Sequence, residues 1–314
     1  MNKIIPITII SLLMITAVSC SSTQKTAAPA AKKTITIGVM PDTDSIPLVI
    51  ADKKGYFKTE GVNVKITNFT SARDRDSALE SGKIDAAVSD VLAQAFITDS
   101  GFKMKIVSAT SGSYKLVASK KSGIKKLSDL KGKNVAISKN TLIEYSTDKI
   151  LETASLGSSD IQKLAIPQIP VRLEMLQNGK VDAAVLPEPM ASLGILNGGT
   201  LISSTDILGI NPGVFMFTQA SINDNKKGVS EVLSAYNKAV KYLNETPKAS
   251  YIDMVIKECS FPTSIKNSIV IPKYKDAYLP ENKDVTSVLS WLSQKKLIKS
   301  EYKYSDLVDA QFVR

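Results

Sequence analysis

A pattern of apolar and polar positions 14 residues long occurs twice in this chain. It covers residues 75–88 and again residues 172–185, 97 positions later, with eight of the 14 aligned positions identical. In each copy, apolar residues at helical spacing lead to a glycine, Gly82 or Gly179, and then to a short apolar run. Glycine accepts the left-handed conformation that ends many helices, and the run has the length of a buried parallel strand. The pattern therefore predicts the same helix–turn–strand unit in two similar α/β lobes.

The rest of the chain alternates short apolar runs with segments of helical periodicity. Around the first repeat, the alternation predicts strands at residues 34–40, 62–69, 85–88 and 103–109 and helices at residues 46–54 and 91–100. After a strand at residues 114–119 it restarts around the second repeat, with strands at residues 134–138, 163–166 and 201–204 and helices at residues 143–154 and 190–196. Such a succession predicts mostly parallel sheets with helices on both faces. A strand at residues 213–218 would return to the first lobe.

The predicted fold class is therefore α/β, with two similar doubly wound lobes joined by a two-strand hinge. The hinge is expected near residues 111–116 and 207–214, and the helical segments that follow residue 228 are expected to pack on lobe one. The predicted boundaries are residues 1–19 for a signal peptide, 20–33 for a lipidated cysteine and tether, 34–112 for lobe one, 113–208 for lobe two, and 209–314 for the return to lobe one and the helical tail.

The first 33 residues resemble the leader of a bacterial lipoprotein. A short basic start precedes an apolar core at residues 4–17, and small residues lead directly to Cys20. In lipoproteins the cysteine at this place becomes the lipidated N-terminus, so lipidation of Cys20 is expected. The alternative is a plain signal peptide with an incidental cysteine. Cys259 would then be the remaining cysteine, and its apolar surroundings predict a core residue.

Composition changes this interpretation mainly by exclusion. The 314 residues carry a formal net charge of +10 and contain no histidine. The missing histidine excludes Ser-His-Asp and Cys-His catalysis and imidazole metal sites. Lysines are densest at residues 120–133, but no aromatic residues are interleaved there to stack on bases, so no nucleic-acid partner is expected. A solvated lysine-rich face near an anionic envelope is the better interpretation.

Candidate binding residues follow from the predicted topology. Ligands of open α/β sheets bind beyond the carboxyl ends of the strands, and two facing lobes would line one cleft with these loops. The candidates are Asp42, Thr43, Asp44, Ser71, Arg73, Ser89, Asp90, Ser111, Tyr114, Asn140, Thr141 and Glu188. For the hydroxyl and amide side chains the competing interpretation is a helix N-cap, and one residue can serve as both.

The charge of the ligand stays open at this point. Arg75 recurs as Arg172 and is therefore interpreted as scaffold, whereas Arg73 has no counterpart and is the better candidate for an anion. Arg73 could also belong to a self-paired surface ladder with its neighbours. Against an anion stand the acidic candidates, which favour a cation or a neutral heterocycle with several N–H donors. Among these, Glu188 lies between two prolines and would be a rigidly placed carboxylate.

These motifs resemble the solute-binding proteins of ABC importers, which have the type II periplasmic-binding fold. The similarity is to the group that includes aliphatic-sulfonate, taurine, nitrate and thiamine-precursor binders. It is carried by residues 35–38, 47–57, 60–62 and 127–132, by both repeats and by Pro187-Glu188-Pro189, and it extends over residues 34–250.

The resemblance implies an extracytoplasmic, lipid-anchored monomer of a bacterial cell membrane. It would capture a small molecule between its lobes and deliver it to permease subunits, with no catalytic residue, no cofactor and no metal. One alternative is an enzyme like the synthase of the thiamine pyrimidine, which needs a histidine and a cysteine-rich iron site that this sequence lacks. A non-transport structural lipoprotein is the other alternative, but it would not need two repeated lobes.

Overall fold

The computed structural model describes residues 33–313, so the predicted signal peptide, Cys20 and most of the tether lie outside the described residues. Two five-stranded sheets form the framework. Their strands are β1 Ile35–Val39, β2 Val64–Asn68, β3 Ala86–Asp90, β4 Met104–Ala109, β5 Tyr114–Ala118, β6 Asn134–Ile137, β7 Gln162–Ala165, β8 Ala183–Pro187, β9 Thr200–Ser204 and β10 Gly213–Thr218.

The strand orders are β2-β1-β3-β10-β4 in lobe one and β7-β6-β8-β5-β9 in lobe two. In lobe one, β1 pairs in parallel with β2 and β3, and β10 lies antiparallel between β3 and β4. In lobe two, β6 pairs in parallel with β7 and β8, and β5 lies antiparallel between β8 and β9. The two sheets therefore have the same layout, and the predicted return of residues 213–218 to lobe one is confirmed.

Helices cover both faces of the sheets, because their apolar sides are buried against the strands. Their bounds are α1 Ile46–Lys53, α2 Tyr56–Glu60, α3 Ala72–Glu80, α4 Val91–Asp99, α5 Leu142–Glu152, α6 Ile169–Gln177, α7 Met190–Leu196, α8 Thr205–Leu208, α9 Gln219–Asp224, α10 Lys226–Glu245, α11 Ile252–Glu258, α12 Asn282–Gln294 and α13 Tyr304–Leu307. Among residues 33–313, no helix is both long and apolar enough to cross a bilayer.

The repeat forms the unit that its pattern predicts. Helices α3 and α6 each end just before a glycine with positive φ, +67° at Gly82 and +69° at Gly179. The strand that follows carries the Ala-Ala pair, which is fully buried in both lobes. At the start of each strand an aspartate accepts a backbone N–H of the neighbouring strand at 2.8 Å, Asp85 from Thr36 and Asp182 from Asn134. These aspartates hold the amino ends of paired strands together.

Two crossings join the lobes, at residues 110–113 between β4 and β5 and at residues 205–212 between β9 and β10. Tyr278 ties them to each other, because its hydroxyl donates to the Thr110 carbonyl at 2.8 Å and accepts from Asn211 Nδ2 at 3.2 Å. The lobes also touch directly. The Thr43 N–H donates to the Glu188 carbonyl at 2.9 Å, and the Ile169 N–H donates to the Thr70 carbonyl at 3.2 Å. The cleft is therefore closed in this structure.

The helical tail packs on lobe one, as predicted, through α10 against α1 and α2 and through α12 against α4. It also reaches lobe two, a contact that the sequence pattern does not indicate. The Tyr145 hydroxyl in α5 donates to Ser287 Oγ in α12 at 2.9 Å. The tail therefore adds a third connection between the two lobes, besides the crossings and the direct hydrogen bonds.

Candidate ligand-binding cleft

A cavity of about 40 Å³ lies between the lobes, at the carboxyl ends of β1, β3, β6 and β8. Its position agrees with the rule that open α/β sheets bind ligands at this edge. The residues lining it are Met40, Asp42, Ala72, Arg75, Val88, Ser89, Asp90, Tyr114, Ser138, Thr141, Leu142, Ile143, Pro167, Ile169, Arg172 and Pro187. Both lobes contribute residues to this wall, so a molecule bound in the cavity would contact both.

Two arginines, one from each repeat, form part of the cavity wall. Each is the fourth residue of its helix, α3 or α6. Each also reaches the carbonyl 13 positions later: Arg75 Nη1 donates to Val88 at 3.1 Å and Arg172 Nε donates to Val185 at 2.8 Å. The repeat therefore places two guanidinium groups at the ends of equivalent strands.

The two arginines differ in their counter-ions. Arg75 Nη2 lies 2.8 Å from an Asp76 oxygen and 3.8 Å from an Asp90 oxygen. Within residues 33–313, Arg172 forms no ion pair, although its exposed fraction is 1%. Its Nε and Nη1 donate to backbone carbonyls only, and Nη2 donates to no protein atom of the described chain. Burial lowers the pKa of Arg172 to about 10, which leaves it charged at neutral pH.

The sequence explains this difference. The positions of lobe two that align with Asp76 and Asp90 are Leu173 and Pro187. Lobe two thus keeps the arginine and its carbonyl contact but lacks both carboxylates. A buried charge without a partner is costly, so a group that supplies negative charge is expected at Arg172.

On the lobe-one side of the cavity, buried carboxyl groups lie close enough to affect each other's pKa. Burial, followed by the nearby charge of Asp44, raises the pKa of Asp42 to about 8. Burial also raises the pKa of Asp44 to about 6, although its oxygens accept from the Ser111 N–H at 2.9 Å and from the Tyr114 hydroxyl at 3.3 Å. The pKa of Asp90 is raised by burial as well, while Arg75 opposes this shift. At neutral pH this wall therefore holds fewer negative charges than its carboxyl groups suggest.

Of the 12 predicted site residues, five line this cavity: Asp42, Ser89, Asp90, Tyr114 and Thr141. Ser89 has an unusual environment, because its buried Oγ has no hydrogen-bond partner among the described residues. Thr141 serves as an N-cap too, since its hydroxyl accepts the Ile143 N–H at 3.2 Å. Thr141 is therefore both a helix cap and part of the cavity wall.

Two more predicted residues, Arg73 and Asn140, lie at the mouth of the cleft. With Thr141 they line a second, more open cavity of about 430 Å³. Arg73 is exposed there. This second cavity is open to solvent, so we take this region as the entrance to the cleft.

The remaining five predicted residues line neither of these two cavities in this structure, and their place in the binding site stays a prediction. Ser71 caps α3 and donates to Asp74 at 2.7 Å, and Thr43 and Ser111 are engaged through their backbone N–H groups. Asp44 lies behind the wall, held by Ser111 and Tyr114. Glu188 does follow a strand end, but its carboxylate pairs with Lys115 and accepts from the Ser192 N–H and hydroxyl at 3.1 and 2.9 Å. It stabilises the start of α7 rather than lining the cavity.

Sequence reasoning missed Arg75 and Arg172 as cavity residues, because repetition was interpreted as a sign of scaffold. They are scaffold and cavity wall together. The sequence does contain a signal for Arg172: the second copy has no acidic residue at the positions that align with Asp76 and Asp90. For metals, no cluster of three or more ligating side chains occurs in the described part of the chain.

Comparisons with known proteins agree with this geometry. The family model described as NMT1/THI5 like matches residues 42–250, about two thirds of the chain. A candidate aliphatic sulfonates-binding protein of Bacillus subtilis (strain 168) is 27% identical over 228 residues, which are 68% of this chain and 66% of that protein. A candidate aliphatic sulfonates-binding protein of Escherichia coli (strain K12) is 23% identical over 295 residues, 92% of this chain and 89% of that protein.

Among solved structures, the alkanesulfonate-binding protein SsuA of Xanthomonas axonopodis pv. citri, bound to MOPS, superposes with a TM-score of 0.77. It is 19% identical, and the match covers 90% of this chain and 100% of that one. At this identity the likeness shows the fold, which is the two-lobed periplasmic-binding fold. The alkanesulfonate ligand belongs to that protein.

Proposed function

The chain belongs to the NMT1/THI5-like family, and on that basis we propose that it is the solute-binding protein of an ABC importer. It captures a small molecule between its lobes and delivers it to permease subunits. Support comes from the cavity, which both lobes line at their strand ends. A ligand that contacts both walls stabilises the closed arrangement, and release follows when the hinge opens.

The ligand carries an anionic group, and the unpaired charge of Arg172 is the observation that carries this proposal. A sulfonate, carboxylate or phosphate oxygen at Arg172 Nη2 supplies the missing counter-charge through a charge-assisted hydrogen bond. The unpartnered hydroxyl of Ser89 lies in the wall of the same cavity and is a second donor for it. Two relatives are described as sulfonate binders, which makes a sulfonate the first compound class to test.

The setting of this function follows from the N-terminal segment. We propose that the chain is exported, lipidated at Cys20 and held outside the cell membrane as a monomer. A tether of about 13 residues would leave the cleft free to meet a permease. These points rest on sequence pattern, since residues 1–32 lie outside the described part.

The experiment is a ligand panel of alkanesulfonates, carboxylates, phosphate esters, pyrimidines and amino acids, read by thermal unfolding. A ligand at about 100 times its Kd adds about 2.7 kcal/mol to the free energy of unfolding. Stabilisation by anions supports the proposal. Stabilisation by cationic or uncharged compounds alone would contradict the anionic assignment while leaving the solute-binding function intact.

Substitution then tests the residue. Arg172→Gln should weaken the best anionic ligand about 10- to 100-fold in calorimetric titration, since a charge-assisted bond is worth roughly 1.5–3 kcal/mol. Arg172→Lys keeps the charge but loses the planar set of guanidinium donors. Its ligand affinity should therefore lie between those of the wild type and Arg172→Gln. The matched control is Arg73→Gln at the exposed mouth, which should change affinity little. Equal losses of affinity in both variants would contradict binding at Arg172 alone and indicate that the anion binds at the mouth of the cleft.

A further inference from the structure

A half-buried cluster of four charged side chains lies away from the cavity. Lys163 in β7 contacts Glu144 at 2.9 Å and Asp148 at 2.5 Å, and Lys295 contacts the same carboxylates at 3.2 and 2.8 Å. Trp291 Nε1 donates to Asp148 at 3.0 Å. Two carboxylates thus face two lysines, and the cluster is neutral as a whole.

The members of this cluster belong to different parts of the fold, lobe two and the helical tail. Glu144 and Asp148 lie in α5 and Lys163 in β7, both of lobe two. Trp291 lies in α12, and Lys295 directly follows that helix. Helix α12 packs on α4 of lobe one, so the contacts of Trp291 and Lys295 with α5 run from one lobe to the other. Opening of the cleft about the crossings would have to break or stretch them.

The same helix forms part of the ligand cavity. Thr141, Leu142 and Ile143, at the start of α5, line the cavity. One oxygen of Glu144 accepts the Asn140 N–H at 2.8 Å, while the other faces Lys163 and Lys295. A single carboxylate therefore connects the loop at the cleft with the ion pairs of the tail.

The charges in the cluster depend on one another. Burial alone would raise the pKa of Glu144, but the Asn140 N–H and the two lysines outweigh it and hold that pKa below its usual value. Asp148 has a lowered pKa for the same kind of reason, with Lys163, Lys295 and Trp291 outweighing its burial. Removing Lys295 would leave two buried carboxylates with one lysine, which is unfavourable in the closed arrangement.

We propose that Lys295 and Trp291 form a latch that holds helix α5 in its ligand-binding position and stabilises the closed cleft. Both are positioning residues, since they act on the ligand through α5. The inference rests on the proposed function in one respect, namely that the closed form is the ligand-bound form. The latch itself is a property of the unliganded chain and can be measured there.

The test measures the distance between spin labels on Lys58→Cys in lobe one and Lys125→Cys in lobe two, both exposed positions. In the unliganded chain, Lys295→Met should shift the distribution from the closed to a longer distance. Lys295→Arg should restore the closed distance. Lys283→Met is the matched control: Lys283 lies in the same helix and pairs at 2.8 Å with the exposed Glu281, so no shift is expected.

Dissociation of an anionic ligand gives the second measurement. Lys295→Met should raise the dissociation rate about tenfold and change the association rate much less, as truncating one partner of a desolvated pair does elsewhere. Trp291→Phe keeps the ring packing and removes the hydrogen bond to Asp148, so it should also raise the dissociation rate. It replaces Lys295→Met as the test if Lys295→Met folds poorly. Wild-type distances in the unliganded Lys295→Met or Trp291→Phe chain would overturn the latch. A shift in a chain that binds no compound of the ligand panel would support the latch and contradict the proposed function.

Discussion

At the scale of single residues, Arg75 and Arg172 show how the two copies of a repeat diverge in charge pairing. Both are held by a carbonyl of the strand that follows, at 3.1 and 2.8 Å, so their positions are inherited together. What separates them is the pair of carboxylates beside Arg75, replaced by Leu173 and Pro187 beside Arg172. The protein neutralises the charge of Arg75, whereas Arg172 contacts no carboxylate of the described residues.

Asp42 is the residue whose protonation should affect the whole chain most. Its pKa is raised to about 8 by burial and by Asp44, whereas an ordinary aspartate has a pKa near 3.8. Between these two values the folded chain holds a proton that the unfolded chain has released. Stability therefore falls as pH rises through this window, with a slope of up to about 1.4 kcal/mol per pH unit, and levels off above the folded pKa.

Asp42→Asn should remove this slope, because the amide does not titrate. The free energy of unfolding, measured in denaturant from pH 6.5 to 8, should fall more steeply with pH in the wild type than in Asp42→Asn. In this window Asp44 and Asp76, with pKa values raised to about 6, contribute little. The control is Asp253→Asn, whose carboxylate is exposed and pairs with Lys266. Parallel curves for wild type and Asp42→Asn would contradict the buried-acid assignment.

The site was predictable only as far as chain topology determines it. Strand ends bring Asp42, Ser89, Asp90, Tyr114 and Thr141 to the cavity, because parallel strands share one carboxyl edge. Side-chain direction is not contained in that rule. Glu188 lies at the expected edge, but Lys115 and Ser192 draw its carboxylate away from the cleft.

At the scale of elements, the helix–turn–strand unit is the part that sequence pattern predicts best. Its glycines, its buried Ala-Ala pair and its strand all follow from local spacing. A smaller element was missed: residues 55–61, between the predicted helix at residues 46–54 and the predicted strand at residues 62–69, contain the helix α2. Gly55 and Gly61 bound it with φ of +72° and +86°, so two turn-forming glycines here flank a helix rather than a simple turn.

The aspartates of the repeat give a prediction about the framework. Asp85→Ala and Asp182→Ala should each lower the free energy of unfolding by about 1–3 kcal/mol, since each leaves a strand N–H without its acceptor. Asp85 should cost more, because it also accepts from the Ser221 hydroxyl at 3.0 Å. Both act at the amino ends of strands, away from the cavity, so ligand affinity should stay near the wild-type value. Denaturant unfolding and calorimetric titration of the two variants check this, and a loss of affinity without a loss of stability would contradict it.

At the scale of the whole molecule, the tail could not be placed fully from sequence. Its helical periodicity shows an apolar face but not which surfaces cover it. The structure places α12 on lobe one and lets it contact α5 of lobe two, so one helix face serves both. Tyr278 likewise binds both crossings, a long-range contact that no local pattern indicates. Contacts of this kind depend on the assembled lobes.

Attachment of the whole molecule to a membrane is the last prediction. No helix within residues 33–313 can span a bilayer, and the chain's two cysteines have separate places, Cys20 in the predicted lipidation motif and Cys259 in the core. If Cys20 carries the lipid, Cys20→Ser should move the protein from the membrane to the soluble fraction and remove the mass of the acyl groups from its N-terminal peptide. Acyl chains add about 0.8 kcal/mol of membrane affinity per buried CH₂, so losing them should release almost all of the protein. Cys259→Ala is the control: burial raises the pKa of that thiol, and its loss should cost about 1 kcal/mol of stability without changing the fractionation. A Cys20→Ser protein that stays with the membrane would contradict the lipid anchor and point to an uncleaved leader.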